Sequence, residues 1–436
     1  MKSFEFGNYI ASLRRNLGLS QKELASRLNV SNKAISKWEN GSSNPTLERI
    51  QELAKIFKVP FEEFVNKGKK KKNKKIFKIV ITGGPCSGKS TALSWIQANF
   101  TKKGYSVIVV AESATELILS GVAPWTCERS YDFQKTLMEM QLAKEEVYDR
   151  ILEKIYGSEK ILVVFDRGLL DCKIYLEDYE FDRLMEEMNL SEIKLRDNYD
   201  GVFHLVTAAK GAEEFYTLEN NKARTETIEE AREKDDRGIS VWAGHPHFRI
   251  VGNEGGFEDK MKKLMSEISA LLGEPVPYEI ERKFLIEMPN LEKMEKNQAC
   301  KKVEIIQTYL KSENDDEIRV RQRGYNGSYI YTKTIKKYAG NGKRFEFEER
   351  ISEQQYLSAL MEADITKRQI RKTRYCLVYE NQYFEIDIYP FWKDKAILEI
   401  EFSNENREIK FPKCMKIIKE VTDDEEYKNT TLASRK

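Results

Sequence analysis

The 436-residue chain exceeds what one hydrophobic core accommodates, so two to four domains are expected. With 40% hydrophobic and 33% charged residues it reads as a well-charged globular protein. No apolar run approaches the roughly 20 residues that cross a bilayer, and no signal-peptide pattern opens the chain.

Six scattered cysteines (Cys86, Cys127, Cys172, Cys300, Cys376, Cys414) form no CxxC pair. They argue against a disulfide framework or a structural zinc site and for reduced thiols in a cytoplasm. The net charge of +2 is unevenly placed. Eighteen Lys and Arg stand against seven acids up to Lys78, and fifty-five against sixty-four beyond it. A basic head on an acidic body directs the head toward a polyanion.

Residues 1–66 read as short helices. Ser20 and Glu23 form a capping box for a helix reaching Leu28. Asn29 and Val30 turn the chain, and Ser31 caps a second helix to about Asn40, stopped by Gly41. Leu24, Ala25, Leu28, Ile35 and Trp38 pack the two together. Thr46 caps a further helix, with Leu47, Ile50, Leu53, Ala54 and Phe57 at helical spacing. The segment resembles the Cro/C1-type repressor helix-turn-helix family. The resemblance implies that the second helix enters the major groove with Asn32, Lys33, Ser36, Lys37 and Asn40 outward, and that Gln21 reaches a phosphate. A helical adaptor that touches no DNA is the plainer alternative. The lysine-rich stretch 67–75 has nothing apolar to bury and reads as a solvated linker adding sequence-independent phosphate affinity.

Residues 76–273 alternate strand-like runs (IFKIVIT, YSVIVVAE, KILVVFDRG, VFHLV, FRIVGN) with helical stretches, the pattern of an α/β parallel sheet covered on both faces. Gly83, Gly84, Pro85, Cys86, Ser87, Gly88, Lys89 and Ser90 satisfy GxxxxGK[ST], with Thr91 next, between an apolar strand and a helix. There the backbone N–H groups cradle phosphates, Lys89 meets the β- and γ-phosphates, and Ser90 ligates magnesium. Asp166 ends an apolar strand where a Walker-B-type carboxylate for magnesium belongs. Glu112 ends another strand at the ligand-binding edge, where it could orient a hydroxyl or a water. Either acid could instead only cap the next helix.

Arg224 and Arg232, in a polar lid-like stretch, suit transition-state charge, as does Arg167, although lid arginines also serve as plain surface ion pairs. His245 and His247 lack a third metal ligand and read as packing or loop residues. The segment resembles the P-loop family that includes bacterial ribosylnicotinamide kinases, often labelled AAA-type, through ITGGPCSGKST, DRGLLD and NNKARTE. The resemblance implies ATP, magnesium and phosphoryl transfer to a small hydroxyl. Arg224 stands where a guanine-reading NKxD motif needs aspartate, which favours ATP while leaving GTP open.

Residues 277–436 read as strands with one charged and one apolar face. The charged faces carry Glu279, Glu281 and Lys283; Arg319, Arg321 and Arg323; Lys333; Arg344, Glu346 and Glu348; Lys372 and Arg374; Glu385 and Asp387; Glu399 and Glu401. Eight acids and eight bases match, as charges lining the lumen of an eight-stranded antiparallel β-barrel would require. An open sheet with this face in water is the alternative. The segment resembles the CYTH, or triphosphate tunnel, family through ExExK at Glu279–Lys283, RxR, KTR and LEIE. The resemblance implies that Lys283, Arg319, Arg321, Lys333, Lys372 and Arg374 cradle a triphosphate. Glu279, Glu281, Asp387, Glu399 and Glu401 would hold magnesium or manganese.

From residue 76 on, the pairing also resembles an animal family linked to photoreceptor channel trafficking, which implies nucleotide and anion binding rather than metabolism. The expected protein is a multidomain, cytoplasmic DNA-binding regulator whose operator affinity follows nucleotide or polyphosphate occupancy, with a homodimer on a palindromic operator among its forms. The alternative is a small-molecule kinase or metal-dependent triphosphatase with the head as a locating module.

Overall fold

Side-chain caps set the helices near the N-terminus. In the computed structural model, which describes residues 4–40, 42–43, 45–57, 59, 75–152, 154–155, 160–216, 226–274, 280–312, 316–338, 344–402 and 408–434, Ser20 and Glu23 complete the capping box of α2 (Gln21–Arg27). Ser31 caps α3 (Asn32–Glu39) through the Ala34 N–H. With α1 (Phe4–Asn16) and α4 (Leu47–Phe57) they bury Ile10, Leu24, Leu28, Ile35 and Leu53. Gly7 lets α1 lie against α3: a Cβ there would stand 2.3 Å from the Trp38 carbonyl oxygen. Residues 1–75 and 157–160 belong to one unit, and a second comprises 76–156 and 161–436.

Within the second unit, β1 (Lys75–Thr82), β2 (Ser106–Val110), β3 (Lys160–Asp166), β4 (Gly201–Leu205) and β5 (Phe248–Val251) form a parallel sheet ordered β2-β3-β1-β4-β5. Successive residues fall alternately into two apolar layers. Val80, Val163, Phe165 and Val202 pack on one side, with Ile239 and Trp242 of α10 (Ile228–Trp242). Ile79, Ile81, Leu162, Val164 and Phe203 pack on the other, against α5 (Lys89–Lys102) and α11 (Phe257–Leu272). Burial on both faces explains the near-continuous apolar strands. The remaining helices of this part are α6 (Ser113–Leu119), α7 (Ser130–Leu152), α8 (Asp178–Glu187) and α9 (Glu192–Arg196).

The second sheet is antiparallel and has nine strands: β6 (Ile280–Glu287), β7 (Cys300–Leu310), β8 (Glu317–Tyr325), β9 (Ser328–Tyr338), β10 (Arg344–Ile351), β11 (Ile370–Tyr379), β12 (Gln382–Ile388), β13 (Lys395–Phe402) and β14 (Ile417–Glu420). Their order is β10-β9-β8-β7-β11-β12-β13-β6-β14. Among the described residues nine strands therefore pair in this order, where eight were expected. Phe284, Ile286, Phe384, Ile386, Leu398 and Ile400 form the apolar face, covered by Met294 and Met415.

Candidate functional site

The phosphate loop follows β1 and needs its glycines. Gly83, Cys86 and Gly88 have φ of 146°, 55° and 88°. A Cβ on Gly83 would lie 2.2 Å from the Leu205 carbonyl oxygen, and one on Gly88 2.7 Å from the Phe257 ring. Lys89 opens α5, and its ammonium donates to the carbonyls of Gly83 at 3.0 Å and Gly84 at 3.3 Å. Burial, then the Arg167 charge, lowers Lys89 to about 8. Pro85 accepts the Thr207 hydroxyl. Ser87 is buried, and Ser90 and Thr91 are exposed in the first turn of α5.

At the end of β3, burial raises the Asp166 carboxyl, and its Oδ1 has no hydrogen-bond partner among the described residues. Glu112 occupies the N-cap position of α6, yet its carboxylate caps no N–H. It accepts instead from Arg167 Nε at 2.5 Å and the Thr115 hydroxyl at 2.6 Å. Burial opposes its ionisation, but Arg167 and Lys89 outweigh it and hold the carboxyl below its ordinary range. Lys89, Glu112, Asp166 and Arg167 thus share one electrostatic neighbourhood.

Arg232 is bound to the Ala209 carbonyl at 2.6 Å and to Glu213 at 2.8 Å, in the segment whose Thr207 and Ala208 bond the Pro85 and Cys86 carbonyls. Arg224, and with it the Asn221–Arg224 string, lies outside the described residues. His245 and His247 are enclosed; burial lowers His245 to about 3 and His247 well below its ordinary value.

Two acids escaped the sequence reading. Asp235, fully buried on α10, accepts from the Gly84 N–H at 3.2 Å and the Thr207 N–H at 3.0 Å and pairs with Lys210 at 3.0 Å. It therefore anchors the loop backbone. Its signal was an aspartate on the apolar stripe of Ala231, Ile239 and Trp242. Asp171, in the DRGLLD string, takes the Thr82 hydroxyl at 2.7 Å, the Trp242 indole N–H at 3.0 Å and the Gly168 N–H at 2.8 Å.

The antiparallel sheet sorts the predicted charges by register. Arg319, Arg321 and Arg323 stand opposite Thr334, Thr332 and Ile330. Lys333 stands opposite Val320, on the other face, so it does not join the arginines. Lys336, opposite Glu317, is the β9 lysine that shares their face. The cause is the two-residue turn at Asn326 and Gly327, with φ of 50° and 79°, which pairs Tyr325 with Ser328 and fixes the parity of both strands. That Asn-Gly signal was available in the sequence.

Further along the same face, Lys372 pairs with Asp387. Arg374 pairs with Glu385, with Asp387 at 2.7 Å and with Glu399 at 2.7 Å. Lys283 pairs with Glu399 at 2.8 Å and Glu281 at 3.0 Å. Burial, then the Glu399 charge, raises Glu281 to about 7, whereas Lys283 and Arg374 overcome burial and keep Glu399 ionised. Arg319 lies 3.8 Å from Glu317, and Arg321 3.9 Å from Glu348. Glu401 is bound by Arg249 of β5 at 2.5 Å.

Among the described residues no three His, Cys, Asp or Glu side chains gather as a metal cage. Three cations expected to bind a triphosphate, Lys283, Lys372 and Arg374, hold three carboxylates expected to bind metal, Glu281, Asp387 and Glu399. Glu279 lies outside the described residues.

On the head, Asn32, Lys33, Lys37 and Asn40 are exposed and Ser36 is half-buried. Gln21 is tied inward: its amide donates to Glu39 at 2.7 Å, and Glu39 also pairs with Arg14 at 2.6 Å. A contact spanning 25 residues has no local signature.

Residues 78–260 match the AAA domain family and residues 10–64 a helix-turn-helix family. The inorganic triphosphatase of Nitrosomonas europaea is 32% identical over 159 residues, 36% of this chain and 96% of that protein. Through its C-terminal part the chain belongs to the inorganic triphosphatase, or CYTH, family. It joins to that part an AAA-type P-loop segment and a helix-turn-helix head. The head is similar to the HTH-type transcriptional activator BcrR of Enterococcus faecalis, 39% identical over 62 residues, 14% of this chain; the chain spans 30% of that activator's length. A crystal structure of an inorganic triphosphatase matches at 28% identity, covering 36% of this chain and 96% of its own, with a TM-score of 0.27.

Proposed function

We propose that the protein is a DNA-binding transcriptional regulator whose operator affinity is set by phosphate ligands bound in its second unit. The observation that carries the reading is the exposed donor row of Asn32, Lys33, Lys37 and Asn40 on α3, whose other side carries the buried Ile35 and Trp38. Amide and ammonium donors on such a helix suit base edges and phosphates of the major groove. The proposed division assigns DNA to residues 1–66, linkage to 67–75, ATP to 76–273 and a triphosphate to a closed barrel of 277–436. ATP, or GTP, would lie on the loop from Gly83 to Thr91. Magnesium would be held by Ser90 and Asp166, whose partnerless buried oxygen suits a cation. A homodimer on a palindromic operator belongs to the same reading. Selection of bound fragments from random DNA tests it: the full chain recovers a sequence motif, and Lys33→Glu with Lys37→Glu recovers none. A chain that enriches no motif overturns it.

A second reading, hydrolysis of inorganic triphosphate, is favoured by the shared face of Lys283, Arg319, Arg321, Lys372 and Arg374 and by the name of the relative from Nitrosomonas europaea. Steady phosphate release from tripolyphosphate, unaffected by deleting residues 1–66, would support it.

A further inference from the structure

A cavity of about 480 Å³ lies in the second unit, away from the phosphate loop, between the P-loop part and the antiparallel sheet. A difference in strand length creates it. β8 pairs with β7 only from Glu304 onward, opposite Gly324, whereas β7 begins at Cys300. The notch beside Cys300–Val303 is closed by α9 and Lys173.

Four bases line this notch, Lys173, Arg196, Lys301 and Lys302, against the acids Glu192 and Glu295. Lys173 pairs with Glu192 at 2.9 Å, Lys302 with Glu295 at 2.9 Å, and Arg196 with the buried Asp197 at 2.7 Å. Lys301 has no hydrogen-bond or ion-pair partner among the described residues. It is half-buried, and burial followed by the neighbouring Lys173 charge lowers its pKa. The Glu192 and Asp178 charges offset this only in part, and an anion at the ammonium would favour its charged form further. Around the strand edge, on the face that carries Lys302 rather than Lys301, the Tyr325 and Tyr375 rings lie 5.8 Å and 5.9 Å from the Lys302 ammonium. The volume falls in the range of small-molecule sites, and aromatic walls accept planar groups.

We propose that this notch binds an organic phosphate of nucleotide size, with its phosphate at Lys301 and Lys173 and its planar body against Tyr325 and Tyr375. It is a third anion site, separate from the Lys89 loop and from the Arg319–Arg374 face, and it does not depend on the regulatory reading. Its walls come from both parts of the unit, so the occupant bridges them.

Calorimetric titration of AMP and of inorganic phosphate into the full chain tests it, with Lys89→Ala, Arg319→Ala and Arg321→Ala silencing the other two sites. AMP should bind more tightly than phosphate. Adding Lys301→Met should weaken AMP by about tenfold or more, the loss of one contact to a charged donor. Lys301→Arg should keep most of the affinity, and unchanged circular dichroism should accompany both. Absent AMP binding, AMP no tighter than phosphate, or a Kd indifferent to Lys301→Met would overturn the proposal.

Discussion

Lys89 shows how the phosphate loop trades stability for binding. Its ammonium, partly buried and facing Arg167, titrates near 8 rather than 10.5. Between those values the unfolded chain holds a proton that the folded chain has released, so this residue's destabilisation is full below pH 8 and fades as pH rises to 10.5. Without nucleotide, Lys89→Met should therefore melt about 1–3 °C above the parent at pH 7, a gain that disappears near pH 10.5. Calorimetric melting across that range decides it; a lower Tm at pH 7 would show that the bonds to Gly83 and Gly84 outweigh desolvation. Bound phosphates would favour the charged amine, so the same substitution should abolish ATP binding.

The β8–β9 hairpin separates what was legible in the sequence from what was overlooked. Alternation in EIRVRQR placed Arg319 and Arg321 on one face, as the register shows. Alternation alone could not choose between Lys333 and Lys336, because an odd spacing puts them on opposite faces; the Asn326–Gly327 turn makes that choice. The five parallel strands and the Ser20 and Ser31 caps were equally legible, being local patterns. The Asp235 anchor, the inward Gln21 and the hold of Arg249 on Glu401 join residues distant in sequence, which no local pattern encodes. The register yields a comparison: Lys333→Ala should leave tripolyphosphate affinity within about twofold, whereas Arg319→Ala with Arg321→Ala should lower it at least about tenfold, since charge-assisted contacts are lost. Equal losses by titration would show that the face assignment does not govern the ligand.

At the scale of the whole second unit, buried charge joins the P-loop part to the antiparallel sheet. Arg323 pairs with Asp197 at 2.7 Å, Asp197 also holds Arg196, and Arg350 donates to the Tyr199 carbonyl at 2.8 Å. Burial opposes ionisation of Asp197, but the two arginines hold it at about 2. Its stabilisation is present above the unfolded value near 4 and is lost as pH falls through 2. Asp197→Ala leaves two buried guanidiniums without their carboxylate and should destabilise the unit by about 3–5 kcal/mol at pH 7, read by urea unfolding. A loss below about 1 kcal/mol would mean that the arginines find other acceptors. In the regulatory proposal such a seam would let a ligand in one part bias the other and, through it, the head. The most direct test measures the Kd of the full chain for its selected operator with and without ATP–magnesium and tripolyphosphate. The account predicts a shift of at least about fivefold with ATP–magnesium that Lys89→Ala removes; a Kd indifferent to both ligands would contradict it.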